Sequence, residues 1–184
     1  MKLLTERLIL RKLTMKDAKD LRDSINNLNI SKWLLVVPYP YTLKDAKWYI
    51  RHSNKKENDP YNFNIELKNE RKIIWGAGLH RVDKKQGTAE LGYWLDERYW
   101  RQGIITEAVS EIIDFGFNKL KLRRVIIPAY SDNKASNGLA KSLGFKYEGK
   151  LRKAAKCKAT GKIHDENLWS LLNYEWKNAK KKIK

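Results

Sequence analysis

The sequence has little cysteine and no long apolar segment. Its 184 residues include one cysteine, Cys157, which has no second cysteine with which to form an intramolecular disulfide. No apolar stretch of about 15 residues follows Met1, as a secretory signal would require, and no apolar run reaches the length that spans a bilayer. These absences argue against a disulfide-stabilised secreted domain and predict a cytoplasmic protein without membrane contact.

Acidic residues are scarce relative to basic ones. The chain has 39 Lys+Arg against 21 Asp+Glu, a formal net charge of +18 and a pI of about 9.9. A hydrophobic fraction of 42%, with 7 Trp, 9 Tyr and 4 Phe, is too high for a disordered chain, so one folded domain is expected over residues 1–184. The charge predicts attraction to anions such as RNA, phosphorylated cofactors or acidic protein surfaces, without choosing among them.

The end of the chain concentrates positive charge in one segment, a lysine-rich C-terminal tail at residues 177–184. Its lysines are Lys177, Lys180, Lys181, Lys182 and Lys184. The tail can be a nucleic-acid-binding patch or the solvated end of a helix, and charge alone does not decide between the two.

Capping signals predict two helices after a first strand. Residues 7–13 alternate apolar and charged side chains, which is typical of an edge strand. Thr14 precedes Asp17 by three residues, and Thr42 precedes Asp45 by the same spacing, as in helix-capping boxes. Helices of about twelve residues are therefore predicted from each threonine.

Three strand-like runs follow, at residues 61–67, 72–82 and 88–95. The polar breaks between them are short enough for hairpin turns, so the runs predict an antiparallel meander. After Gly103 the apolar residues recur at helical spacing, which predicts a long helix to about Leu120.

A strand at residues 125–129 follows this helix directly. Strand, helix and strand in that order form a crossover, so the strands on either side of the helix should be parallel neighbours. A short helix at residues 135–143 and strands at residues 145–151 and 167–174 complete the predicted order. The fold class is α+β, or α/β in a looser vocabulary: a mixed, mostly antiparallel central sheet with helices on both faces and one parallel strand-helix-strand crossover.

The loop before the long helix is the first candidate for a ligand site. In a crossover unit the ligand lies beyond the carboxyl end of the strand, where helix amides are unpaired and the helix dipole favours an anion. Gly103 lets backbone approach a phosphate without an intervening Cβ, and Arg101 adds a positive charge. Neither the dinucleotide fingerprint nor the Walker P-loop is present, which disfavours kinases, GTPases and Rossmann dehydrogenases. An ordinary helix start is the alternative.

Four segments occur in a recognisable order. They are TERLILR at residues 5–11 with Asp17-Ala18; ELGYWL at 90–95 with YWRQG at 99–103 and TEA at 106–108; NKAS at 133–136 with SLGF at 142–145 and EGKLR at 148–152; and residues 165–172. From about Thr5 to Trp176 the chain thus resembles the GNAT acetyltransferases, specifically the RimJ/RimL type that acetylates protein N-termini.

The resemblance implies acetyl-CoA as the co-substrate. Backbone groups around Gly92 on a splayed strand would hold the pantetheine arm and the acetyl carbonyl, and loop amides would hold the pyrophosphate. The cofactor-binding residues that it implies are Gly92, Tyr93, Trp94, Leu95, Trp100, Arg101, Gln102, Gly103, Ile104, Ile105, Thr106, Asn133 and Ser136.

Transfer to an amine also needs a base for the ammonium and an acid for the departing thiolate. Glu90 is the candidate base, because a carboxylate on a strand covered on both faces is partly desolvated; it can instead pair with a nearby Arg or Lys or orient a water. The resemblance offers Ser136 as the acid, although water could serve. Asn133 and Ser136 also stand where a helix N-cap is expected.

The sequence departs from the family pattern at two places. The resemblance assigns the pyrophosphate to residues 101–106, which we call the phosphate loop. Ile105 stands where Gly or Ala is usual in the family, which crowds this loop, although contacts through amides survive such a change. Between Glu148 and Asp165 there is no carboxylate, so a base from that loop is not expected.

Metal and thiol chemistry are not expected. The three histidines, His52, His80 and His164, have no metal-ligand spacing to Cys157 or to a carboxylate, so no metal site is predicted. Cys157 has no base placed beside it and is interpreted as inert.

The sequence therefore predicts an acetyl-CoA-dependent N-acetyltransferase that works by direct transfer in a ternary complex. The favoured acceptor is a peptide or protein N-terminus, and a ribosomal protein is the specific expectation, for which the lysine-rich surface would make non-specific contact with ribosomal RNA. The alternatives are a small amine, such as a polyamine, amino sugar or amino acid, and a non-catalytic member that binds CoA or RNA.

Overall fold

The computed structural model describes residues 1–55 and 61–183, and a single mixed sheet organises them. The strands are β1 (Lys2–Leu4), β2 (Leu8–Arg11), β3 (Asn62–Leu67), β4 (Lys72–Asp83), β5 (Thr88–Leu95), β6 (Arg124–Tyr130), β7 (Lys146–Lys156) and β8 (Ile163–Leu172). The helices are α1 (Ala18–Ile25), α2 (Leu28–Ser31), α3 (Leu43–Ser53), α4 (Ile104–Asn118), α5 (Lys134–Ser142) and α6 (Asn173–Ile183), with 3-10 turns at Met15–Asp17 and Glu97–Tyr99.

The predicted sheet is confirmed. Its order is β1-β2-β3-β4-β5-β6-β8-β7, and among these described strands every neighbouring pair is antiparallel except β5 and β6. A parallel pair needs a long connection, because the chain must return to the same end of the sheet, and α4 provides that crossover.

Helices cover both faces of the sheet. One buried cluster joins α4, α5 and α6 to the sheet and includes Trp75 and Ile112. A second cluster, around Leu21 of α1 and Ile50 of α3, packs against the other face. Side chains of β5 alternate between the two faces, which decides which of its residues reach each helix layer.

The capping boxes form as the sequence predicts. The Asp45 carboxylate accepts the Thr42 N–H at 2.8 Å, and the Thr42 hydroxyl accepts the Asp45 N–H at 3.2 Å. Thr14 and Asp17 form the same box before α1. Local side-chain bonds at the start of a helix need no tertiary partner, so the sequence reports them directly.

Several element bounds differ from the prediction. β1 and α2 are too short for an apolar period to be recognised, and the first predicted strand shrinks to Leu8–Arg11. The last strand begins earlier than predicted, at Ile163. It also ends earlier, at Leu172, because α6 begins at the next residue and the Glu175 carboxylate accepts the Leu172 N–H at 3.0 Å.

The predicted tail enters this last helix. Residues 177–183 belong to α6, whereas Lys184 lies outside the described residues. Within residues 1–55 and 61–183, no helix has the length and apolarity that crossing a membrane requires.

Candidate active site

Strands β5 and β6 separate immediately after Glu90. Their parallel pairing joins residues 88–90 to residues 124–126 and stops there, although β5 continues to Leu95 and β6 to Tyr130. Over those later residues β5 pairs with β4, and β6 pairs with β8. The facing edges of β5 and β6 therefore present backbone groups without a ladder partner, which we call the β5–β6 cleft.

The loop from β5 to α4 presents backbone amides at the end of this cleft. Gly103 is the N-cap of α4, with a left-handed backbone at φ +72° and no side chain to satisfy the helix amides. The first helical bond runs from the Glu107 N–H to the Gly103 carbonyl at 3.1 Å, so the amides of Ile104, Ile105 and Thr106 have no acceptor within the helix. Three free amides at the positive end of a helix dipole suit a phosphate.

Arg7, which is not among the predicted site residues, fixes this loop. Its guanidinium donates to the Gln102 carbonyl at 2.9 Å and to the Glu107 carboxylate at 2.6 Å, and the Thr5 hydroxyl donates to the same carboxylate at 2.5 Å. Burial disfavours the charge on Glu107, but these bonds outweigh it and lower the pKa of its carboxyl. Glu107 balances the charge of Arg7, and the exposed Arg101 adds a positive charge to the phosphate loop. The sequence could have indicated Arg7, because this residue lies in the segment at residues 5–11 that resembles the family.

A pair of hydroxyl groups crosses the cleft. The Tyr93 hydroxyl on β5 lies 2.8 Å from the hydroxyl of Ser136 in the first turn of α5, and either oxygen can be the donor. Burial raises the pKa of Tyr93 to about 12, and the hydrogen bond to Ser136 opposes this shift only in part. Tyr93 is therefore protonated at neutral pH.

Asn133 rather than Ser136 caps α5. Its side-chain oxygen accepts the Ser136 N–H at 3.1 Å. The Ser136 hydroxyl is consequently released from capping and is available to Tyr93 and to a ligand in the cleft.

Glu90 lies where the cleft opens. Its side chain is 16% exposed, and its carboxylate accepts hydrogen bonds from Arg81 at 2.5 and 3.0 Å. Arg81 is 78% exposed, so water screens its side of the pair and the arginine can move aside for a substrate cation. The pairing that the sequence left as an alternative therefore exists, and it is compatible with a role as base.

Glu166, a second carboxylate, faces the same side of the sheet. Glu90 is paired with Ile126, and Tyr130 is paired with Glu166. Ile126 and Tyr130 are four residues apart on β6 and share a face, because side chains alternate along a strand. Burial and the charge of Glu90 raise the pKa of Glu166, and Arg81 opposes them. Glu166 is missing from the predicted site because its face depends on the register between β6 and β8.

Two of the predicted cofactor-binding residues have buried side chains, so only their backbone groups can face a ligand. The side chains of Leu95 and Ile104 are 6% and 2% exposed and belong to the core. The Trp100 indole N–H donates to the Leu95 carbonyl at 2.9 Å, which holds the start of the phosphate loop against the end of β5.

Glycines bring two rings onto the sheet beside the cleft. The Trp94 indole lies over Gly76, with Nε1 2.5 Å from the position that a Cβ there would take. The His80 ring lies over Gly92 in the same way, at 3.1 Å. A side chain at either glycine would displace these rings and the wall that they form.

The described residues contain no group of three or more His, Cys, Asp or Glu side chains that could hold a metal ion. Cys157 is fully buried, and its thiol donates to the Ser31 carbonyl at 3.5 Å. His164 bonds Asp132 through Nδ1 at 3.0 Å. Cys157 therefore serves packing between α2 and the β7–β8 hairpin.

Comparison with known proteins identifies the family. The family model described as acetyltransferase (GNAT) domain matches residues 7–146. An uncharacterized N-acetyltransferase of Bacillus licheniformis, p20, is 34% identical over 95% of this chain and 97% of its own length. The ribosomal-protein-serine acetyltransferase of Escherichia coli is 39% identical over 46% of this chain and 48% of its own length.

A solved structure shares the whole fold. The microcin C7 self-immunity acetyltransferase MccE, in complex with acetyl-CoA and AMP, matches with a TM-score of 0.79 and 26% identity, covering 91% of this chain and 93% of that one. The cleft, the phosphate loop and these likenesses agree, and the chain belongs to the GNAT family and is an acetyltransferase.

Proposed function

We propose that this protein is an acetyl-CoA-dependent N-acetyltransferase of the RimJ/RimL type that acetylates the N-terminal amine of a ribosomal protein by direct transfer in the cytoplasm. The observation that carries the proposal is the β5–β6 cleft, which opens at Glu90 and is crossed by the Tyr93–Ser136 pair. One catalytic domain, residues 1–184, would contain the whole site.

The residues of the phosphate loop fit acetyl-CoA, which supplies the activated acetyl group when it is bound. The amides of residues 104–106, with the charge of Arg101, would hold the pyrophosphate, and Gly103 lets the backbone approach it. Arg7 would fix the loop through Gln102 and Glu107. The free edge of β5 from Gly92 would hold the pantetheine arm and donate to the acetyl carbonyl.

The side chains along the cleft divide the proton transfers. Glu90 takes a proton from the acceptor ammonium, so that the nitrogen can form a bond to the acetyl carbon. As the carbon–sulfur bond breaks, Ser136 donates its hydroxyl proton to the leaving thiolate, and Tyr93 stabilises the alkoxide through their hydrogen bond. The nitrogen, now bonded to the acetyl carbon, loses its second proton, which solvent carries to Ser136, and solvent also removes the proton held by Glu90.

The carboxylates favour a charged amine as the acceptor. Glu90, which Arg81 pairs, and Glu166 lie on the same side of the sheet, so the acceptor side carries more carboxylate than cationic charge in a protein of net charge +18. The name of the Escherichia coli relative supports a ribosomal protein. A small amine is the second candidate, because the same carboxylates would bind a polyamine or an amino sugar.

The test measures thiol release from acetyl-CoA with four acceptors in turn: a peptide with an N-terminal serine, spermidine, glucosamine and a free amino acid. The peptide should be the best acceptor. Glu90→Gln should lower its turnover by about 10² to 10⁴ with CoA affinity in calorimetry near that of the wild type. Glu6→Gln, at an exposed glutamate, is the control. Normal turnover in Glu90→Gln would remove the base assignment, and loss in Glu166→Gln alone would move it to Glu166.

A further inference from the structure

A second concave surface lies at the end of the sheet opposite the phosphate loop. Its volume is about 440 Å³, and it opens between the β4–β5 turn and the connection from α4 to β6. Its lining residues are Lys84, Lys85, Gln86, Gly87, Lys121 and Arg123. Four of the six are cations and none is acidic or apolar; we call this surface the basic pocket.

Backbone contacts hold the basic pocket in shape. The Arg123 N–H donates to the Gly87 carbonyl at 2.7 Å, and the Arg123 guanidinium donates to the Gln86 carbonyl at 2.6 Å. Lys84 lies over the Tyr61 ring, with its ammonium 5.8 Å from the ring centroid. Two chain segments that are far apart in sequence thus present their cations on one surface before any ligand arrives.

No acidic side chain in residues 1–55 and 61–183 pairs with the cations of the basic pocket. Asp83 is the acidic residue nearest in sequence to the pocket residues. Its carboxylate accepts the backbone N–H groups of Lys85 and Gln86 at 2.8 and 2.9 Å and stabilises the β4–β5 turn. The remaining positive potential attracts an anion with several charges.

The lining chemistry favours a nucleic acid over a protein partner. A protein partner needs an apolar interface core, which this surface lacks, whereas the closely spaced phosphates of a nucleic acid need cations alone. The pocket precedes Thr88 and the phosphate loop follows Leu95, so β5 separates them by about 25 Å at about 3.3 Å per residue. We infer that the basic pocket binds the phosphate backbone of RNA, independently of acetyl-CoA.

The experiment measures binding of the full-length protein to a fluorescein-labelled 12-nucleotide single-stranded RNA by anisotropy, without acetyl-CoA. Lys84→Glu combined with Lys121→Glu should weaken binding at least tenfold at 50 mM salt. It should also reduce the slope of log affinity against log salt by about 1.4, since each lost contact to single-stranded nucleic acid removes about 0.7. Arg123 is left in place because it holds the turn.

The matched control is Lys19→Glu combined with Lys47→Glu, at exposed lysines on α1 and α3. Both double variants lower the formal net charge from +18 to +14, so a general field effect would weaken RNA binding equally in both. Equal weakening, or none in the pocket variant, would overturn the inference. Displacement of RNA by poly-glutamate at equal charge would also overturn it, in favour of an unselective polyanion surface. Retained CoA affinity in the pocket variant would show that it is folded.

Discussion

At the scale of single residues, two glycines share a backbone conformation in different surroundings. Gly103 at the phosphate loop has φ +72°, and Gly161 in the β7–β8 turn has φ +71°. Valine is strained at either position, but at Gly103 it also places a branched side chain where the pyrophosphate would lie. We expect Gly103→Val to weaken CoA binding at least tenfold in calorimetry, about 1.4 kcal/mol.

Gly161→Val is the matched control for backbone strain. A Cβ at Gly161 would meet nothing within 4 Å, so this change should lower the melting temperature and leave CoA affinity unchanged. An equal loss of CoA affinity in both variants would mean that strain, rather than the loop, is responsible. Unchanged affinity in Gly103→Val would contradict the assignment of the loop.

Asn133 and Ser136 differ in role although they are three residues apart. Asn133→Ala removes the cap of α5 and should lower the free energy of unfolding by about 0.5–2 kcal/mol. Ser136→Ala keeps the cap and should reduce kcat more than CoA affinity, because it removes the proposed proton donor. Thermal melts and steady-state kinetics on the two variants check both expectations. A Ser136→Ala enzyme with wild-type kcat would assign the proton to water.

At the scale of elements, one ion cluster joins the last three strands of the sheet. Glu148 on β7 accepts from the Arg124 guanidinium of β6 at 2.5 and 2.6 Å and from the Ser170 hydroxyl of β8 at 2.7 Å. Arg124, and then Ser170, lower the pKa of Glu148 to about 2. A carboxyl whose pKa is depressed by folding stabilises the protein above the unfolded pKa, and that contribution disappears as the pH falls towards the folded value.

We therefore expect Glu148→Gln to lower the melting temperature by about 2–4 °C at pH 7, a modest effect because water screens this half-exposed pair. The difference from the wild type should shrink between about pH 4.5 and pH 2 as the wild-type carboxylate takes up a proton. Melting curves at several pH values measure it, with Glu6→Gln as the reference. A difference that is constant with pH would show that lost packing, not charge, is the cause.

At the scale of the whole molecule, the positive charge is spread over separate sites, and the tail is partly committed to packing. Lys180 pairs with Asp114 of α4, Trp176 donates to the same carboxylate at 2.7 Å, and a Cβ added at Gly144 would lie 2.7 Å from Ala179. Residues 177–184 carry five lysines, so truncation after Trp176 lowers the net charge from +18 to +13.

Truncation after Trp176 should lower the melting temperature, because it removes the contacts of Ala179 and Lys180. It should also lower kcat/KM on a ribosome-bound acceptor at low salt and leave kcat on a short peptide unchanged, since a positive field raises the encounter rate rather than the chemical rate. The effect on kcat/KM should fade near physiological salt, where the Debye length is about 8 Å. Equal kcat/KM for both proteins at low salt would favour a purely structural α6.

The sequence by itself determined the order of the strands from β2 onward, the crossover and the position of the loop before α4. Capping boxes, strand alternation and a helical apolar period are properties of neighbouring residues, so they need no knowledge of distant partners. Gly103 was predictable for the same reason, because a glycine that opens a helix after a strand has a local geometric meaning. The sequence indicated Glu90 as the candidate base because of its place on the strand that became β5 and because of the family resemblance.

The tertiary structure alone decided which distant residues meet. Arg7 reaches the phosphate loop from a segment about a hundred residues away, and Glu166 shares a face with Glu90 only because of the pairing of β5, β6 and β8. The sequence pointed to the tail as the concentration of positive charge, whereas the structure gathers Lys84, Lys85, Lys121 and Arg123 into one pocket from two segments. A shift of one residue in strand register reverses the face of every side chain. In the described residues, no hairpin turn joins β5 to β6 or β6 to β8, so turn geometry does not set their register locally.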